Sequence, residues 1–174
     1  MTALKKMTVK GFKSIRELID FELANLNVFI GANGSGKSNL ISFFKLVQKI
    51  ADNNANSYIQ QHGGINDFLF NGRKVTERIN VGLGFKNHQY SFSIIEVASP
   101  DGSCMVDNEE VTGKQIIPAV LGGSVPFDSS RDSADQVAIL AKDSFDFIYK
   151  SIQSWQIYHF NDTTKTSGIR NLEI

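Results

Sequence analysis

Gly31-Ala32-Asn33-Gly34-Ser35-Gly36-Lys37-Ser38 decides how this chain is read. Glycine stands first, fourth and sixth, and lysine and serine close the run, in the pattern Gly-x-x-x-x-Gly-Lys-Ser/Thr. Each position has a physical task. Gly31, Gly34 and Gly36 permit backbone angles that a Cβ resists, and they let the main chain wrap closely round a ligand. The N–H groups from Asn33 to Ser38 then form a nest for an anion. A helix beginning near Lys37 adds its positive end at the same place. Lys37 would reach the β- and γ-phosphates of a nucleoside triphosphate, and the Ser38 hydroxyl would hold Mg²⁺. The bland alternative is a glycine-rich turn ahead of an ordinary helix.

The flanks favour the first reading. Leu26 to Ile30 is a short, nearly continuous apolar run that ends at Gly31, which predicts a buried strand. After Lys37 the period changes. Leu40, Phe43, Phe44, Val47 and Ile50 recur at helical spacing, which predicts a helix from Lys37 to Ile50. The Asn-, Gln- and Gly-rich stretch from Asp52 to Gly64 ends it. Ahead of the loop, Leu4 to Phe12 and Glu17 to Leu23 predict two strands. Beyond it, Arg78 to Phe85 and Gln89 to Ala98 alternate as a hairpin about Lys86-Asn87-His88. Cys104 to Val106 reads as a short strand, and Ile116 to Asp132 as loop. Ser133 to Trp155 reads as a second helix, with Ser133 and Gln136 at capping-box spacing. Its apolar face is Val137, Leu140, Ala141, Phe145, Ile148, Ile152 and Trp155. Gln156 to Phe160 reads as one more strand, and Asn161 to Ile174 is a polar tail.

Composition sets the class. The chain has 174 residues, 41% of them hydrophobic, and 13 are Phe, enough for one domain with a real core. Eighteen basic and 18 acidic residues leave no net charge, which withholds support from a dedicated nucleic-acid module. The single Cys104 rules out an intrachain disulfide and fits a reducing, cytoplasmic setting. The first residues are not followed by an apolar run of signal length. No stretch reaches the eighteen or so apolar residues of a membrane span.

The loop and the residues just after it, through Asn39 and Leu40, resemble the Walker A segment of RecF, SMC and related ABC-type ATPases. So does Gly11-Phe12-Lys13-Ser14-Ile15 followed by Leu26 to Ile30. Three later segments are similar to a group of bacterial predicted ATPases, often called AAA-type but built like ABC heads. They are Gly63 to Phe70, Gly72-Arg73-Lys74, and Trp155 to Thr163. The resemblance implies an α/β P-loop NTPase fold. The chain, residues 1–174, would be the N-terminal lobe of an ABC-like head, with a mixed sheet and an antiparallel β subdomain around Arg78 to Val106. It implies ATP and Mg²⁺ as cofactors. It adds Asn39, and from the N-terminal strands Lys13 and Ser14, to the nucleotide-binding residues, with Arg16 beside them. A solvated turn is the alternative for that trio. It also implies a head-to-head homodimer with nucleotide between the heads. Related heads work in DNA repair, chromosome maintenance and phage defence, so a DNA partner enters by fold-level analogy alone.

Two elements of such an ATPase are missing from the sequence. One is an apolar strand ending in Asp-Glu, to support Mg²⁺ and activate water. Phe92-Ser93-Ile94-Ile95-Glu96 comes closest, but it alternates like a hairpin strand. The other is a Leu-Ser-Gly-Gly signature. Leu121-Gly122-Gly123-Ser124 has the letters in the wrong order and reads as loop. In the family both lie beyond the region resembling Trp155 to Thr163, so the expectation is the N-terminal half of a longer ATPase or a natural truncation. Catalytic residues are therefore not assignable, and hydrolysis is expected only with a C-terminal half or a dimer partner. The competing reading is a non-catalytic nucleotide-binding or protein-interaction module.

The remaining candidates are secondary. Gln60 and Gln61 could join the metal site or lie in a polar linker. His62, His88 and His159 lack metal-ligand spacing, and Cys104 has no Cys or His neighbour. Asp162 could join a Mg²⁺ or water network. Arg73 and Lys74 could meet phosphate or solvent. No Asn-Lys-x-Asp guanine-reading motif occurs, which leans towards adenine.

Overall fold

A computed structural model describes residues 3–97, 103–113, 116–120, 125–126 and 136–157. Strand β1, Leu4–Phe12, and strand β2, Ile15–Glu22, form an antiparallel hairpin. Strands β3, Arg78–Phe85, and β4, His88–Glu96, form a second. Strand β5 is Cys104–Gly113, β6 is Ile116–Val120 and β7 is Val125–Pro126. The sheet runs β2-β1-β3-β4-β5-β6, with β7 also on β5.

Side-chain alternation gives this sheet two unlike faces. Met7 and Val9 of β1 stand opposite Leu83 and Val81 of β3, which stand opposite Tyr90 and Phe92 of β4. All six are buried. The neighbouring rows are polar or small: Lys6, Thr8 and Lys10 face Gly84, Gly82 and Asn80. A bulge in β5 alters this pattern. The register shifts between Ser91 and Ser93 of β4, and Asn108 takes φ 52. The extra residue brings Glu109 to the apolar face, where it is 3% exposed.

Helix α1, Lys37–Ala51, buries Leu40, Phe43, Leu46, Val47, Ile50 and Ala51. It meets the sheet where Phe43 packs edge-on to Phe12, with ring centroids 5.8 Å apart. Helix α3, Gln136–Gln153, meets the sheet through Phe145 and Tyr149, both edge-on to Tyr90. The two helices are joined by Gln48 Nε2 donating to the Trp155 carbonyl at 2.9 Å and by Gln153 Nε2 donating to the Ala51 carbonyl at 2.8 Å. Phe44 packs edge-on to Trp155 beside those bonds.

The structure departs from the sequence reading in several places. Leu26 to Ile30 is not a buried strand. Leu26 is 81% exposed, Val28 71%, Phe29 44% and Ile30 93%, and the segment belongs to no strand. An apolar run with large side chains on both faces is buried only when strands flank it on both edges, and none does so among the described residues. Among the described residues every strand pairing is antiparallel, so the expected mixed sheet shows only its antiparallel part. The polar stretch after α1 contains a further helix, α2, Ala55–Gln61, seated by the buried Ala55 and Ile59. A single turn of 3-10 helix follows at Ile65–Asp67.

β5 is much longer than Cys104 to Val106, and part of the expected loop from Ile116 is β6 and β7. Four consecutive polar residues, Asp107 to Glu110, break the alternation that would mark β5 as a strand. Phe145, Ile148 and Ile152 of the α3 face are buried as expected. The side chains of Val137, Leu140 and Ala141 lie outside the described residues. So do Ser133 and its cap, Leu121 to Ser124, Tyr158 to Phe160 and the tail.

Candidate phosphate-binding site

The loop lies between the exposed Leu26 to Ile30 segment and the start of α1. Gly36 caps α1 with φ 93, a left-handed conformation that glycine adopts without penalty. A turn precedes it, closed by the Ser35 N–H on the Ala32 carbonyl at 3.2 Å. That bond uses one N–H assigned by the sequence reading to the anion nest. The α1 N-terminus has no side-chain cap. Its first N–H groups, orphaned by helix geometry, are available to an anion.

Lys37 folds back over the loop. Its Nζ donates to the Gly31 carbonyl at 2.6 Å, to the Ala32 carbonyl at 2.7 Å and to Ser35 Oγ at 3.1 Å. A Cβ on Gly31 would stand 2.8 Å from Ser35 Oγ, so any larger residue there would push that hydroxyl aside. Asn33, Gly34, Ser35 and Ser38 are exposed. An uncapped helix end, a glycine turn and an inward ammonium are the groups a polyphosphate requires. Ser38 sits on the first turn of α1. Among the described residues no cluster of three or more His, Cys, Asp and Glu could hold a metal ion by itself.

The turn between β1 and β2 lies against the same helix end. Asn39 Nδ2 donates to Ser14 Oγ at 2.7 Å, and Ser14 Oγ is 3.1 Å from where a Cβ on Gly36 would stand. Lys13 points one turn further along. Its Nζ donates to Ser42 Oγ at 2.8 Å and lies 4.6 Å from the centre of the Phe68 ring. Partial burial there lowers the Lys13 pKa from its usual 10.5, and nearby Asp67 partly offsets that. Lys13 is thus engaged with α1 rather than held over the loop, and Ser14 and Asn39 engage each other. The sequence reading missed this pairing. The signal for it was the i,i+3 spacing of Asn39 and Ser42, which puts both polar side chains on one face of the helix.

The other candidates fall elsewhere. Gln60 and Gln61 end α2. His62 Nδ1 is 2.8 Å from the Tyr58 carbonyl, His88 packs on Phe147, and Cys104 is buried. Arg73 pairs with Glu96 at 3.0 Å, and Lys74 is exposed. Phe92 to Glu96 lies in β4, paired antiparallel on both edges, as a hairpin strand should be. His159 and Asp162 lie outside the described residues. No helix among the described residues is long and apolar enough to cross a membrane.

Comparison with known families matches residues 3–169 to the family described as AAA ATPase domain. Comparison with curated proteins and with solved structures gave no match.

Proposed function

Given that the chain belongs to the AAA ATPase domain family, and so to a family of nucleotide-binding ATPases, we propose that Gly31 to Ser38 is its Walker A loop and binds Mg-ATP. The observation that carries this reading is the Lys37 ammonium, held 2.6 Å and 2.7 Å from the two carbonyls that open the loop, beside an uncapped helix end. Gly31, Asn33, Gly34, Ser35 and Gly36 would offer main chain to the phosphates, Lys37 its charge, and Ser38 its hydroxyl to Mg²⁺. The bound ion would draw charge from the terminal phosphates, while the loop fixes their position.

In the same reading the chain is the N-terminal lobe of an ABC-like head of the RecF and SMC kind. The exposed Leu26 to Ile30 run supports that. It is an apolar segment leading directly into the loop, and further strands would bury it. Those strands would bring the Asp-Glu pair that orients water, so hydrolysis requires them, in the same chain or from a head-to-head partner. DNA remains a fold-level analogy. The cations Lys6, Lys10, Arg73 and Arg78 are each paired with a carboxylate, of Asp20, Glu17, Glu96 and Asp107 respectively.

Thermal unfolding of the chain with and without Mg-ATP tests the reading. Nucleotide at a hundred times its Kd is expected to stabilise the chain by about 2.7 kcal/mol. Lys37→Ala is expected to keep its fold and lose that gain. Equal stabilisation of both chains would place the nucleotide elsewhere.

A further inference from the structure

We propose that Ser14 and Asn39 are a positioning pair: their mutual hydrogen bond, rather than a contact of either with nucleotide, sets the orientation of the first turn of α1 and so the affinity for triphosphate. The inference rests on the Walker A reading above and assigns it two residues outside the Gly-x-x-x-x-Gly-Lys-Ser pattern.

The turn between β1 and β2 sends both of its polar side chains to α1. Asn39 donates to Ser14 at 2.7 Å, and Lys13 donates to Ser42 at 2.8 Å. From behind, the Lys13 N–H donates to the Phe68 carbonyl at 2.8 Å, and Phe12 bridges to Leu69. The turn is therefore fixed on one side and bonded to the helix on the other. Lys13 holds φ 48 within it, a strained angle for a side-chain-bearing residue that the surrounding bonds must maintain.

Ser14 also lies against Gly36, the last residue of the loop, so the serine touches both sides of the junction between loop and helix. The N–H groups that would meet the phosphates belong to this junction. Their direction follows the tilt of the first helical turn. Asn39 is the side chain on that turn that ties it to the sheet. With its amide donating to Ser14, Asn39 acts on the phosphates through the backbone it steadies.

A double-mutant cycle separates a shared bond from two independent contacts. The parent, Ser14→Ala, Asn39→Ala and the double variant are titrated with Mg-ATP by calorimetry, with Ser14→Thr as the conservative control. Loss of one hydrogen bond is expected to weaken binding roughly threefold to tenfold in each single variant. The double variant should lose no more than either single, and Ser14→Thr should bind like the parent. Losses that multiply in the double variant would mean that each side chain touches nucleotide separately, and would overturn the proposal. So would unchanged affinity in the single variants.

Amide hydrogen exchange without nucleotide gives a second readout. The Leu40 N–H, the first of α1 to be bonded, at 3.0 Å to the Gly36 carbonyl, should exchange faster in both single variants and by the same factor. Parent-like exchange there would refute the pair even if the parent failed to bind nucleotide. That failure of binding would tell instead against the Walker A reading.

Discussion

Phe12→Ala is expected to lower the free energy of unfolding by about 3–5 kcal/mol, the usual cost of emptying a buried aromatic site. Phe12 is fully buried at the end of β1. Its ring meets Phe43 of α1 at 5.8 Å and Phe68 at 6.1 Å, both edge-on. The residue therefore joins three parts: the first hairpin, the helix that follows the loop, and the segment after the 3-10 turn. The neighbouring backbone can do little to fill the space. Phe12 bridges to Leu69, and the next N–H is bonded to the Phe68 carbonyl. Urea unfolding followed by circular dichroism reads the effect. A loss below about 1 kcal/mol, the range of a surface substitution, would mean that α1 does not pack on β1 as described. Phe12→Leu, which retains most of the volume, should recover more than half of the loss.

The second large effect belongs to Glu109. Its Oε1 accepts from Tyr90 Oη and from Tyr149 Oη, each at 2.6 Å, and the two hydroxyls are 3.3 Å apart. Tyr90 is fully buried. Desolvation first, and then Tyr149 and Glu109, raise its pKa well above the ordinary 10.0, so the hydroxyl remains a donor throughout the neutral range. Glu109→Ala would remove the acceptor that both tyrosine hydroxyls share. Two lost bonds with incomplete replacement cost on the order of 3 kcal/mol. Glu109→Gln keeps an acceptor oxygen in the same place and should cost about half as much. The measurement is again urea unfolding. It should be accompanied by near-ultraviolet circular dichroism, because Tyr149 ties α3 to the sheet and its signal should weaken when the acceptor is gone. A Glu109→Ala chain as stable as the parent would show that α3 is held by its apolar face alone.

The local elements were legible because their signals are local. The alternation of Met7 and Val9, and of Ile79, Val81 and Leu83, marked β1 and β3. The 3.6-residue spacing of Leu40, Phe43 and Val47 marked α1. The glycines and Lys37 marked the loop before any fold was in view, and the structure has a glycine-capped helix and an inward lysine there. What was not legible depends on neighbours distant in sequence. Leu26 to Ile30 has the composition of a buried strand, but burial comes from flanking strands rather than from the run itself. Helix α2 is short and polar, and it is held by Ala55 and Ile59 against α1 rather than by a periodic face. Glu109 stands in the polar run Asp107 to Glu110, and only the bulge beside Asn108 turns it inward. Ser14 and Asn39 lie 25 positions apart, and only the packing of the first hairpin on α1 brings them together.

The central claim is that triphosphate is held by the backbone and lysine of Gly31 to Ser38. The most direct measurement is an amide nuclear magnetic resonance titration of the labelled chain with Mg-ATP. The account predicts that the largest shifts fall on the N–H groups from Gly34 to Ser38, saturate together, and vanish in Lys37→Ala. Largest shifts on another part of the chain, or none at saturating nucleotide in a folded parent, would contradict it.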